Sequence, residues 1–236
     1  MNNYQIKFLK YEKLYNLCYN IVLAWQKSVK AKDVDLYRNI IDPFSAIFDA
    51  SFHNISLTEW LQFEKIRQIQ KTFQNEIGPF HQKLLGSIEG WENLETGGII
   101  DVINKERKII AEVKNKFNTT KGNHKIAIYD DLNNLLENKY YGYSAYYVSI
   151  ISKKIINKPF TPSDNKTKEK RLQNLNIIEI DGNSFYEIVT GDKNAIYQIY
   201  QAIPAILSDI LKNDSEKIIS DPLFEKIFNQ AFIKNK

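Results

Sequence analysis

The strongest constraint on the fold comes from two short apolar segments that carry charged residues at regular positions. The first, residues 99–103, contains Asp101, and the second, residues 108–114, contains Glu112 and Lys114. Strand side chains alternate between faces, so Glu112 and Lys114 would share one face of their strand. Burying such charges costs several kcal/mol unless they are paired or bind a metal ion. The pattern predicts two carboxylates and an ammonium converging in a sheet, an arrangement suited to a divalent metal and an attacking water; the alternative is an exposed edge hairpin.

Length and composition indicate one substantial domain. The chain has 236 residues, 43% of them hydrophobic and 13% aromatic, which is enough to build a core. The formal net charge of +4 allows a local basic cleft but does not by itself indicate nucleic-acid binding. One cysteine excludes an internal disulfide, and no Cys/His cluster suggests zinc. Without a leader or an apolar run near 18 residues, we expect a soluble intracellular protein with no membrane association.

Apolar periodicity divides the domain (residues 1–236) into three parts. A helical part, residues 1–85, and a core, residues 86–155, are followed by a region of loops, a hairpin and helices, residues 156–236. A capping box at Ser56–Glu59 begins one helix, and Gly78-Pro79 interrupts it. The predicted elements of the first two parts are helices at 4–31, 57–77, 80–85 and 124–137, and strands at 87–91, 99–103, 108–114 and 145–152. This order predicts a mixed α/β fold with a central mixed sheet flanked by helices.

The third part is predicted to begin with an exposed polar loop at residues 157–170. Strands at 176–180 and 185–190 would flank Asp181-Gly182-Asn183, a strong hairpin signal. Asp192 would then cap a long apolar helix kinked at Pro204, and residues 215–233 would form one more helix.

Asp101, the run Glu112-Val113-Lys114 and the order of elements resemble the PD-(D/E)XK nuclease fold. Within that fold, residues 76–122 resemble the SinI-like type II restriction endonucleases, which cut palindromes of the GGNCC or GGWCC kind. One departure is Ile100, which occupies the position of the motif's proline. Many members of the wider fold also lack that proline, so the departure weakens the resemblance little.

The resemblance implies a catalytic role for each charged residue of the two strands. Asp101 and Glu112 would hold one or two Mg²⁺ ions, which would polarise the scissile phosphate and activate the attacking water. Lys114 would orient or deprotonate that water, or neutralise charge in the transition state, and the sequence leaves these roles open. The products would carry 5′-phosphate and 3′-hydroxyl ends. Glu76 is a candidate fourth catalytic residue and metal ligand, although an ordinary surface glutamate near a helix end is equally consistent with the sequence.

Candidate DNA-binding residues lie in three places: in the helix before the core, directly after the predicted catalytic strand, and in the loop of the third part. Polar and basic side chains suit phosphate contacts, and Arg, Lys, Asn and Gln suit base edges. The alternative for the histidine is a packed structural residue, and the alternative for the polar residues after the strand is an ordinary solvated loop. The candidates are His81, Gln82, Asn115, Lys116, Asn118, Thr119, Lys121, Arg171 and Gln173.

The resemblance implies a type II restriction endonuclease that cleaves both strands of double-stranded DNA at a palindrome. A palindrome requires a two-fold symmetric reader, so we expect a homodimer. We also expect a cognate DNA methyltransferase and a bacterial cytoplasmic location. The alternatives are a structure-specific repair or recombination nuclease of the same fold, a DNA-binding protein without catalysis, and, more weakly, a hydrolase of another substrate.

Overall fold

A computed structural model of the chain describes residues 6–34, 36–94, 98–119, 122–164 and 167–232. The chain divides into two compact units, one spanning Tyr19–Gly78 and the other made of the segments on either side of it. No helix in these described ranges is long and apolar enough to cross a membrane.

The larger unit is built on a six-stranded mixed sheet in the order β1-β2-β3-β4-β6-β5. The outer pairs, β1/β2, β2/β3 and β5/β6, are antiparallel, whereas β3, β4 and β6 run parallel. The strands are β1 (Glu92–Asn93), β2 (Val102–Asn104), β3 (Ile109–Lys116), β4 (Ser144–Ile151), β5 (Asn157–Pro159) and β6 (Ile177–Asp181). The predicted fold class, a central mixed sheet flanked by helices, is confirmed.

Eight α-helices are described along the chain, together with short 3₁₀ turns at Leu36–Arg38 and Ser215–Ser220. In the smaller unit, α2 and α3 pack through Ala46, Ala50 and Trp60. The helices are α1 (Tyr11–Val34), α2 (Pro43–Phe52), α3 (Leu57–Ile77), α4 (Phe80–Leu85), α5 (Gly122–Asn138), α6 (Gly182–Thr190), α7 (Ala195–Leu211) and α8 (Pro222–Phe232).

The two faces of the sheet bury different helices. Ile110, Ala145 and Ile177 lie side by side on β3, β4 and β6 and pack with Leu132 of α5. On the opposite face, Phe185 of α6 contacts β4. The parallel strands are therefore covered on both sides, as parallel sheets usually are.

The capping box predicted for α3 is present. The Ser56 hydroxyl accepts from the Glu59 N–H at 3.2 Å, and the Glu59 carboxylate accepts from the Ser56 N–H at 2.9 Å. These reciprocal bonds satisfy two donors that the start of a helix otherwise leaves unpaired.

The hairpin predicted around Asp181-Gly182-Asn183 is wrong, because residues 182–190 form α6. The Asp181 carboxylate accepts from the Ser184 N–H at 3.1 Å and caps this helix. Gly182 lies so close to β4 that an added Cβ would be 2.8 Å from the Ile150 Cα. The sequence Asp-Gly-Asn-Ser is thus a capped helix start in close contact with the sheet.

Several other predicted boundaries also need correction. Residues 87–91 form turns, and the short β1 follows them; β5 lies within the segment predicted as a loop. α1 begins at Tyr11, and Asn194, not Asp192, is the N-cap of α7. Asp192 instead accepts from the Asn194 N–H in a turn before the helix. The predicted helix at 215–233 is a 3₁₀ turn followed by α8, since Pro222 starts a new helix there.

Candidate active site

Asp101 immediately precedes β2 and is fixed against β3 at both its backbone and its side chain. Its N–H donates to the Ala111 carbonyl at 2.9 Å, and its carboxylate accepts from the Val113 N–H at 2.7 Å. The Val113 carbonyl, in turn, accepts from the Gln82 side-chain amide at 3.3 Å. The backbone pairing of β2 with β3 does not extend to Val113. The side chains of Asp101 and Gln82 therefore take the place of a strand partner for the Val113 N–H and carbonyl.

Glu112 is a buried carboxylate next to Asp101. Only 7% of its surface is exposed, and it pairs with the Lys114 ammonium. The pKa of Glu112 is raised to about 7, chiefly by burial and then by the charge of Asp101 and a hydrogen bond with it, against the opposing effect of Lys114. The structure therefore holds two carboxylates closer together than is favourable without a cation.

Lys114 remains a cation in this site. Burial lowers the pKa of its ammonium, but the hydrogen bond and charge of Glu112 and the charge of Asp101 outweigh burial, so the pKa lies above its ordinary value. A charged ammonium beside two carboxylates can stabilise negative charge on a bound phosphate.

The donor set fits a divalent cation of the magnesium type. Among the described residues, no group of three or more His, Cys, Asp or Glu side chains is placed to hold a metal ion. The pair Asp101 and Glu112 remains, and Mg²⁺ commonly takes only one or two protein carboxylates together with waters and substrate phosphates. These two oxygen donors therefore suit a hard divalent cation of this kind.

The charged face of the sheet continues beyond the three predicted residues. Tyr147 lies beside Glu112 in the β3/β4 register and is fully buried, and its hydroxyl has no hydrogen-bond partner within the described ranges. Lys125 of α5 lies 5.3 Å from the centre of that ring and pairs with Glu179 at 3.1 Å. None of these three residues is predicted from the sequence as part of the site, although alternation along β4 and β6 places Tyr147 and Glu179 in the same row as Glu112.

Glu76 and His81 have different surroundings. Glu76 is exposed near the end of α3 in the smaller unit, and its catalytic role stays a prediction. His81 of α4 is joined by a 2.9 Å hydrogen bond to the Tyr186 hydroxyl and makes edge contacts with the rings of Phe80 and Tyr186. Burial lowers the pKa of His81 to about 4, so the ring is neutral at ordinary pH.

The remaining predicted DNA contacts fall into two groups. Asn115 and Lys116 are the last residues of β3, and Asn118 and Thr119 follow them as exposed turn residues. Lys121 lies outside the described residues. Arg171 makes a bidentate ion pair with Asp130, at 2.8 and 2.7 Å. Gln173 is exposed in the loop before β6.

Comparison with known proteins gives full-length matches. A profile of the Eco47II restriction endonuclease family matches residues 6–212. The type II restriction enzyme Eco47II of Escherichia coli is 39% identical over 96% of this chain and 98% of its own length. The chain belongs to the Eco47II restriction endonuclease family. The type II restriction enzyme Sau96I of Staphylococcus aureus, 33% identical over the whole of this chain and 93% of its own length, is a second relative.

Membership in the Eco47II family identifies the chain as an enzyme, a restriction endonuclease. The predicted endonuclease activity is thereby confirmed at the level of the family. Asp101, Glu112 and Lys114, which the structure brings together, are its candidate catalytic residues.

Proposed function

We propose that the chain is a Mg²⁺-dependent type II restriction endonuclease of the PD-(D/E)XK fold. It cleaves both strands of a short palindrome of the GGNCC or GGWCC kind and leaves 5′-phosphate and 3′-hydroxyl ends. The observation that carries this proposal is the convergence of Asp101, Glu112 and Lys114 at the point where β2 begins beside β3. Two carboxylates and an ammonium are the groups that metal-assisted phosphodiester hydrolysis requires.

In the proposed mechanism, Asp101 and Glu112 hold the cation. When bound, Mg²⁺ supplies Lewis-acid polarisation of the scissile phosphate. The Asp101 carboxylate is oriented by the Val113 N–H, and Glu112 by the Lys114 ammonium. Gln82 holds the Val113 carbonyl and so fixes the strand between the two charged residues.

Lys114 acts on the phosphate or on the attacking water. Its ammonium is charged and tethered to Glu112, so it can donate hydrogen bonds to a phosphate oxygen as negative charge develops there. It can equally orient the attacking water for in-line displacement. A fixed position serves both roles, because a preorganised donor needs no reorganisation during the reaction.

The proposed partners follow from the palindrome. Two copies of the chain would place two sites on opposite strands. Exposed Lys116, Asn118 and Thr119 at the end of β3 would contact phosphates next to the cleaved bond. Glu76 and Gln173 are kept as weaker candidates for catalysis and DNA contact. A cognate methyltransferase in the same bacterial cytoplasm would protect the host's own sites.

The test is cleavage of unmethylated plasmid DNA by the purified protein with Mg²⁺, followed by sequencing of the ends. We expect discrete fragments whose ends share one motif, and no cleavage with EDTA or with Lys114→Ala. Cleavage of branched DNA without cleavage of plain duplex would instead identify a structure-specific nuclease. Binding to duplex DNA without cleavage under any metal condition would identify a DNA-binding protein.

A further inference from the structure

Helix α2 presents an apolar face to solvent. Phe44, Ile47, Phe48 and Phe52 are between 54% and 80% exposed. Their spacing places them on one side of the helix, and Ala46 and Ala50 on the other side pack with Trp60 of α3. The helix is thus apolar on both sides, although only one side is covered within the smaller unit.

The apolar area of this face is large for an isolated chain. A fully exposed aromatic side chain presents about 150–250 Å², so the three phenylalanines and Ile47 expose roughly 400–600 Å² together. Three further large apolar residues close to α2 in sequence are also exposed: Tyr37, Ile40 and Leu57. The four side chains of α2 alone match the largest apolar patch of a typical monomer. With the three neighbours in sequence, the exposed apolar area approaches the roughly 800 Å² that each partner contributes to a standard protein interface.

The charge of α2 selects the kind of partner. Asp49 is the only charged residue in this helix, and it accepts from the Trp60 indole at 2.8 Å. DNA and anionic membrane surfaces require basic side chains, and α2 has none. An uncharged aromatic face can meet an identical face without electrostatic repulsion, and the centres of homodimer interfaces have this composition.

We propose that the α2 face, formed by Phe44, Ile47, Phe48 and Phe52, is the contact surface for a second copy of this chain. The choice of a second copy rests on the proposed cleavage of a palindrome. In a two-fold symmetric dimer the same patch occurs on both sides of the interface, so the α2 helices of the two copies pack against each other and remove the phenylalanines from water.

The first test is the mass in solution of the wild type and of Phe44→Asp/Phe48→Asp. We expect the wild type at twice 27.6 kDa and the variant at 27.6 kDa, both with the same circular dichroism spectrum. The control is Tyr141→Asp, which replaces one 89% exposed aromatic residue of the other unit with aspartate and should remain dimeric. A monomeric wild type, or a variant that stays dimeric, would overturn the proposal.

A cross-linking experiment keeps the proposal testable if the double variant does not fold. Cys18 is buried, so Phe48→Cys provides one reactive surface thiol, and a short bismaleimide should join two copies. Tyr141→Cys is the control that should not cross-link. Cleavage of plasmid DNA is measured separately, so a dimer formed elsewhere by an active enzyme refutes the α2 face alone. An α2 dimer without site-specific cleavage refutes the proposed function alone.

Discussion

At the scale of single residues, the site combines groups that oppose one another. Glu112 is buried beside Asp101, and its raised pKa means that the folded state takes up a proton more readily than the unfolded chain does. The stability contribution of Glu112 is therefore full below pH 4.5 and is lost as the pH rises through about 7. Lys114 offsets part of the unfavourable free energy of ionised Glu112, and the proposed cation would offset the rest.

Glu112→Gln should therefore stabilise the protein while abolishing cleavage. A pKa shift from 4.5 to about 7 corresponds to at most about 3.5 kcal/mol, so at pH 8 we expect a gain of about 1–3 kcal/mol in the free energy of unfolding. Urea denaturation at pH 5 and pH 8 measures it, and the difference between variant and wild type should grow with pH. Mg²⁺ should raise the melting temperature of the wild type only. A variant less stable than the wild type at pH 8 would contradict this account.

His81 is a predicted DNA contact, and its hydrogen bond and ring contacts give it a structural role in the fold. Because the pKa of His81 is lowered to about 4, the unfolded chain binds a proton between about pH 6.5 and 4 and the folded chain does not. Stability attributable to His81 is therefore lost as the pH falls through this range.

His81→Gln keeps a group that can hydrogen-bond to the Tyr186 hydroxyl but removes the titration. The quantity of interest is the free energy of unfolding of the variant minus that of the wild type. We expect this difference to be larger at pH 5 than at pH 7.5, by up to about 2 kcal/mol. Urea denaturation at both values measures the difference. An equal difference at both pH values would mean that His81 titrates normally in the folded state.

The convergence of Asp101, Glu112 and Lys114 was predictable. Strand alternation places Glu112 and Lys114 on one face, and charges in an apolar strand beside a further carboxylate have few structural explanations. Gln82 is a predicted DNA contact, but no comparable pattern indicates that it holds the Val113 carbonyl, and none indicates a place for Tyr147 in the site. The partner of Gln82 is a backbone carbonyl 31 positions away, and a tyrosine in an apolar strand is ordinarily read as core. Their positions depend on tertiary contacts that leave no local periodicity in the sequence.

At the scale of elements, the predicted hairpin at 181–190 and the unpredicted helix α2 fail for a common reason. The pattern at 181–190 fits a hairpin, and local propensity cannot reveal that Gly182 must lie against β4. Helix α2 was not predicted, because a short segment that is apolar on both sides lacks the amphipathic period used to recognise a helix. The helical conformation at 182–190 depends on the contact with β4. The apolar outer face of α2 is explained by the proposed contact with a second copy.

Gly182→Ala should destabilise the protein, because its Cβ would be 2.8 Å from the Ile150 Cα in the centre of the sheet. We expect a loss of about 1–3 kcal/mol in the free energy of unfolding, measured by thermal or urea denaturation. Gly98→Ala is the matched control, since the nearest atom to its Cβ would be 3.5 Å away, and it should change stability little. Equal stability of the two variants would contradict the close packing of α6 on β4.

At the scale of the whole molecule, the proposal of one active site per copy of the chain has a direct consequence. If each copy cleaves one strand, a dimer containing one wild-type chain and one Lys114→Ala chain should nick supercoiled plasmid rather than linearise it. Co-expression with two different affinity tags isolates the mixed dimer, and agarose gels separate open-circular from linear DNA. Linear product from the mixed dimer would show that one site cuts both strands.

The topology of the sheet also determines when the enzyme becomes complete during its synthesis. Asp101, Glu112 and Lys114 leave the ribosome well before β6, which pairs with the free edge of β4, and parallel pairing between distant segments forms slowly. Until β6 and α6 arrive, β4 has one unpaired edge and one uncovered face. We therefore expect the unfinished chain to lack a rigid site, so that nuclease activity begins only after most of the protein has been translated.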